Sequence, residues 1–135
     1  MKKLKIRPVE PSESNTYWRR SEDCWDLAHK ALQEGKWAGC AINVIPSVIA
    51  LADLMCIRYA GKRYAGTSHD ESVDFYATLD MDDPDFQKSV VRLGQILSVK
   101  TDAEYGGSPL GESHIRQMMK LAERFRSFVL NKIGK

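Results

Sequence analysis

In the run Arg58-Tyr59-Ala60-Gly61-Lys62-Arg63-Tyr64-Ala65-Gly66-Thr67-Ser68-His69, Arg63 precedes His69 with five residues between them. An arginine can hold a phosphate with a planar fork of donors. A histidine can move a proton near neutral pH. Together they are the minimum equipment for metal-free RNA cleavage, in which a 2′-hydroxyl attacks the adjacent phosphorus. His69 is then the candidate base or acid, and Arg63 the clamp on the charged phosphorane. Lys62 and Arg58 supply further positive charge, and Ser68 with the free amides of the next helix start adds an anion site. That helix end disfavours a protonated His69, which helps a base and hinders an acid. The competing reading leaves His69 idle and exposed in the first turn of a capped helix.

Asp53 is the third candidate. It sits in Ala50-Leu51-Ala52-Asp53-Leu54, and a carboxylate in so apolar a helix needs a partner. It is expected to be largely buried and hydrogen-bonded, to Arg58, Arg63 or a tyrosine hydroxyl. In that place it can also orient Arg63 or His69.

The elements that position these residues read as helices. Residues 1–11 look like a loose arm, since Pro8 and Pro11 block early helix formation. Residues 12–135 form the single domain. A first helix is predicted from Ser14 to Glu34, with Trp18, Trp25, Ala28 and Leu32 on one face. A second runs from Trp37 to Tyr59, apolar on most sides and therefore central. Pro46 should kink it and Gly61 should end it. Ser68-His69-Asp70-Glu71 opens a third helix with a capping box. Asp83-Pro84 opens a fourth, ending between Ser98 and Ala103, before a loop through Gly106, Gly107 and Pro109. The last spans Glu112 to Lys132. Strand signals are nearly absent, so the fold class is an all-α, antiparallel bundle of four to five helices.

Composition narrows the rest. The 135 residues carry a net charge of +2, too small to claim nucleic-acid binding from charge alone. From Asp70 to Asp85 every charged residue is acidic, whereas the last helix carries Arg116, Lys120, Arg124, Arg126 and Lys132. Those can be solvated faces, or a basic surface that meets a phosphate backbone. Cys24, Cys40 and Cys56 are far apart and odd in number, without a C-x-x-C pair, which argues against structural zinc and fits a reducing cytoplasm. No metal ligand set and no cofactor motif is found, neither a phosphate-binding glycine loop nor a nucleophilic serine elbow. The basic N-terminus lacks the apolar region of a signal peptide. Trp37 to Ile57 is long enough to cross a bilayer, but its Asn43, Pro46, Ser47 and Asp53 favour a buried bundle helix over a membrane span. Tyr59, Tyr64 and Tyr105 could stack on bases or lid the core.

Over roughly residues 15–130 the chain resembles the HEPN superfamily of small helical bundles. The resemblance is carried by Ala50-Leu51-Ala52-Asp53-Leu54, the loop from Gly61 to Asp70, Lys100-Thr101-Asp102-Ala103-Glu104-Tyr105, and Ala122-Glu123-Arg124-Phe125 in the last helix. It implies a homodimer, and either a metal-independent endoribonuclease with an Arg–His motif or a relative that binds without cutting. Arg63 and His69 fit the motif's spacing, and Asp53 resembles the polar residue often kept on the second helix. The motif here precedes the third helix, whereas in active relatives it usually opens the last core helix. Three functions follow as expectations: a module binding RNA, a nucleotide or a cognate protein partner; a toxin-like endoribonuclease of a toxin–antitoxin pair using Arg63 and His69; or a purely structural dimer. Trp18, Trp25 and Trp37 are expected as core or dimer contacts, and the pair Met118-Met119 fits an interface as well as a core.

Overall fold

The computed structural model describes residues 4–105 and 111–135, with side chains from 99 to 110 outside the description. Five helices carry the fold: α1 (Ser14–Gln33), α2 (Trp37–Ala60), α3 (His69–Ala77), α4 (Pro84–Tyr105) and α5 (Glu112–Ile133). The chain is an all-α bundle. The loop expected through Gly106, Gly107 and Pro109 lies outside the described residues. The fourth helix continues to Tyr105, beyond the predicted end.

α2 is the axis of the bundle. It packs against α1, α3, α4 and α5, and Val44, Val48, Leu51 and Met55 along it are almost fully buried. Its length and apolarity would suit a bilayer, yet most of its apolar stretch is covered by the other helices. α2 continues through Pro46. It ends at Gly61, whose φ of 65° is a left-handed conformation that only glycine adopts cheaply. α1 packs chiefly on α2, and small residues make the approach close: Ala28, Ser21 and Ser47 are fully buried, and Ser47 Oγ donates to the Ser21 carbonyl at 2.8 Å.

The far side of α2 holds an aromatic cluster. Tyr76 of α3 stacks on Phe86 of α4 at 4.9 Å between centroids, and Phe125 of α5 tilts against Tyr76 at 5.7 Å. The buried Tyr76 hydroxyl is satisfied by Ser89 Oγ at 2.7 Å. Met118 and Met119 are buried in this core, the core placement that their spacing allowed. Among the described residues the large apolar side chains left open are Ile6, Leu27, Ile42, Tyr59, Met81 and Val91. Trp18, Trp25 and Trp37 are half-buried against the core. The Arg126 guanidinium lies over both Trp18 and Trp25, at 5.8 and 5.2 Å from their centroids, and pairs with Glu22. This cation–aromatic layer ties α5 to α1.

The N-terminal arm, expected to be loose, is tied down. Residues Ile6–Pro8 form β1, which pairs antiparallel with β2 (Lys62–Tyr64) in the register Ile6↔Tyr64 and Pro8↔Lys62. Ala65 N–H donates to the Lys5 carbonyl at 2.7 Å and Val9 N–H to the Gly61 carbonyl at 2.9 Å. Val9 is buried beside Tyr17, Leu54 and Ile57. Pro8 does block a helix, but an edge position in a strand tolerates it.

Candidate functional site

The strand pair decides where the sequence candidates go. Neighbouring side chains on a strand point to opposite faces. Tyr64 turns toward α3, where its hydroxyl accepts from Ser68 N–H at 3.0 Å and donates to Glu71 Oε2 at 2.9 Å. Ser68 Oγ accepts from Glu71 N–H at 3.3 Å. The expected reciprocal capping box is therefore closed through a tyrosine: Glu71 reaches the hydroxyl of Tyr64 rather than the Ser68 amide. Ser68 serves as the N-cap of α3.

Arg63 turns the other way. Its Nη1 donates to the Tyr64 carbonyl at 3.1 Å, and its guanidinium lies 6.0 Å from the centre of the buried Tyr17 ring. Arg20 of α1 faces the same ring at 5.4 Å. Asp53 lies close enough to both guanidiniums for their charge to act on it. Arg63 and Asp53 thus share one electrostatic neighbourhood, as the sequence suggested. Asp53 is half-buried, and its carboxylate makes no hydrogen bond or ion pair among the described residues. The expected hydrogen bond is therefore not formed. Loss of hydration pushes its carboxyl up to about 6, with Arg63 and then Arg20 opposing the rise.

His69 lies elsewhere. It opens α3 and lines a cleft of about 440 Å³ between α3 and α4, with Asp70, Val73, Asp74 and Leu97. Among the described residues no lysine or arginine lines that cleft. Among the described residues, Arg63 and His69 share no hydrogen bond or ring contact. Arg58 donates from Nη1 to the Ile133 carbonyl at 3.1 Å, where it caps the last turn of α5. Lys62 is exposed opposite Pro8. The six candidates are spread over four places in the fold rather than gathered in one.

A different set of cations does converge. Arg92 of α4 and Lys120, Arg124 and Ser127 of α5 line a groove of about 620 Å³, with Glu123 among them. Lys120 and Arg124 are one turn apart, so their side chains lie on one face. None of the three cations forms an ion pair among the described residues, whereas Arg116, Arg126 and Lys132 are held by Glu112, Glu22 and Asp83. Ser127 also borders a second, shallower depression with Leu130, Asn131 and Lys135, so the open surface continues toward the end of α5. The basic character of the last helix was visible in the sequence. The contribution of Arg92 was not, because only the packing of α4 on α5 brings it there.

No protein-family model, curated protein or solved structure matches this chain.

Among the described residues no three His, Cys, Asp or Glu side chains converge as metal ligands would. What the groove can do chemically is hold anions. Its cations are unpaired and solvent-accessible, which suits binding of an extended polyanion.

Proposed function

We propose that this chain is a HEPN-like helical-bundle module that binds RNA through its phosphate backbone and does not cut it. The groove of Arg92, Lys120 and Arg124 carries the reading. Unpaired cations from two helices face one channel, and the cations elsewhere on α5 are neutralised within the fold. The nuclease alternative gains no comparable support. His69 stands beside Asp70 and Asp74, which repel a phosphate, and Arg63 is directed at Tyr17.

Each phosphate neutralised on a single strand contributes about −0.7 to the slope of log K against log salt. Three contacts therefore predict a slope of about −2 for a short oligoribonucleotide, measured by fluorescence anisotropy. The Lys120→Ala, Arg124→Ala double variant should bring the slope to about −0.7 and weaken binding most at low salt. An unchanged slope would place the contacts elsewhere. In the same samples, with chelator present, the RNA should stay intact. Cleavage that disappears in His69→Ala would restore the nuclease reading.

A further inference from the structure

Glu123 has the wrong sign for a groove that takes phosphates. It sits between Lys120 and Arg124 in sequence, lines the same cavity, and is exposed. Among the described residues it forms no ion pair and no hydrogen bond, so its acceptor oxygens are open to a ligand. A carboxylate in that place repels the backbone and lowers affinity for phosphate alone. It favours binding only of a ligand that brings its own N–H donors to it.

The RNA bases differ on this point. Guanine presents two adjacent donors, N1–H and the 2-amino group, on its Watson–Crick edge. Adenine and cytosine place an amino group beside an unprotonated ring nitrogen. Uracil has one N–H between two carbonyl oxygens. A carboxylate accepts two parallel donors in a fork and is repelled by lone pairs. Only an unpaired guanine exposes that edge, so the matching ligand is single-stranded.

We infer that Glu123 reads an unpaired guanine in single-stranded RNA, while Arg92, Lys120 and Arg124 hold the neighbouring phosphates. The inference rests on the backbone-binding function proposed above and adds base specificity to the same groove. Lys120, Glu123 and Arg124 lie at i, i+3 and i+4 on α5, so acceptor and cations share one helix face and one ligand can meet both.

The test compares uridine-only oligoribonucleotides with ones of equal length carrying a single guanosine. Wild-type protein should bind the guanosine strand about tenfold more tightly, the usual discrimination of a two-donor base contact. Replacing that guanosine with inosine, which keeps N1–H and lacks the 2-amino group, should give an intermediate affinity. Glu123→Gln should remove the preference and bind the uridine-only strand more tightly than wild type, because the repulsion is gone. Glu123 is exposed, so the variant should keep the wild-type circular dichroism and melting curve. Equal wild-type affinity for both strands, or a preference that survives in Glu123→Gln, overturns guanine reading and leaves backbone binding intact. A uridine-only strand left unbound even at low salt overturns the backbone reading, and a guanosine strand also unbound overturns both.

Discussion

Asp53→Asn should make this protein more stable at neutral pH, by about 1–2 kcal/mol. The Asp53 carboxyl titrates at about 6 in the folded chain, against an ordinary value of 3.8. Between those values the folded state holds a proton that the unfolded state has released. Stability must therefore fall as pH rises from about 4 to about 6, and the loss persists above that window. Each unit of pKa corresponds to about 1.4 kcal/mol, which sets a ceiling of about 3 kcal/mol. Asp53 is half-buried, and residual solvent reduces the expectation below that ceiling. Asparagine has the shape of the protonated acid and never bears the charge. Urea denaturation at several pH values gives the measurement. The wild type should lose stability from pH 4 to 7 and the variant should lose less, so that the two curves meet at low pH. A variant less stable than wild type at pH 7 would mean that Arg63 and Arg20 depend on the carboxylate more than the carboxylate suffers from burial.

A larger effect, and of opposite sign, is expected from Gly66→Ala. A Cβ at this position would collide with the Tyr64 hydroxyl and stand 2.6 Å from its Cζ. The Tyr64 ring is 7% exposed and packed in the core, so it cannot swing aside without opening it. Displacing the hydroxyl also breaks its bonds to Ser68 and Glu71, which start α3. Overpacking and the lost hydrogen bonds together should cost about 2–4 kcal/mol. Thermal unfolding should show this as a melting point lower by several degrees, and Tyr64→Phe, which removes only the hydroxyl, should lose about 1 kcal/mol. An alanine variant with the wild-type melting point would show that the loop at Gly66 shifts freely.

All five helices were legible in the sequence because each carries its own local signal. Ser68 and Asp83 mark starts, Gly61 marks a stop, and the apolar residues of each segment repeat at three and four. The small sheet was not legible. A strand of three residues offers no alternation to read, and its partner lies on the far side of two helices in the chain. That omission misplaced the candidate site. Read as a loop, Gly61 to Ser68 lets Arg63 and His69 approach one another. With Lys62–Tyr64 fixed as a strand, Tyr64 is committed to α3 and Arg63 to α1. Asp53 was legible as an anomaly, with Arg63 as one of three partners offered, but which of them lies near it and its lack of a hydrogen bond depend on distances that no spacing rule gives. The groove was half legible: Lys120 and Arg124 share a face by periodicity, whereas Arg92 enters through tertiary packing.

The pairing Ile6↔Tyr64 also bears on the order in which this protein assembles. The hairpin of α1 and α2 lies between the two strands, and its helices, joined by a short turn, pack on one another more extensively than any other pair. It can form while both ends of that segment are still free. The strands can meet only after the helices have brought Val9 back beside Leu54 and Ile57, since closing so long a loop first would cost entropy with little return. The sheet is then a latch fastened late over a finished hairpin. Its backbone amides are therefore expected to exchange with solvent before those of α1 and α2, and the contact of Arg63 with Tyr17 to depend on the same latch.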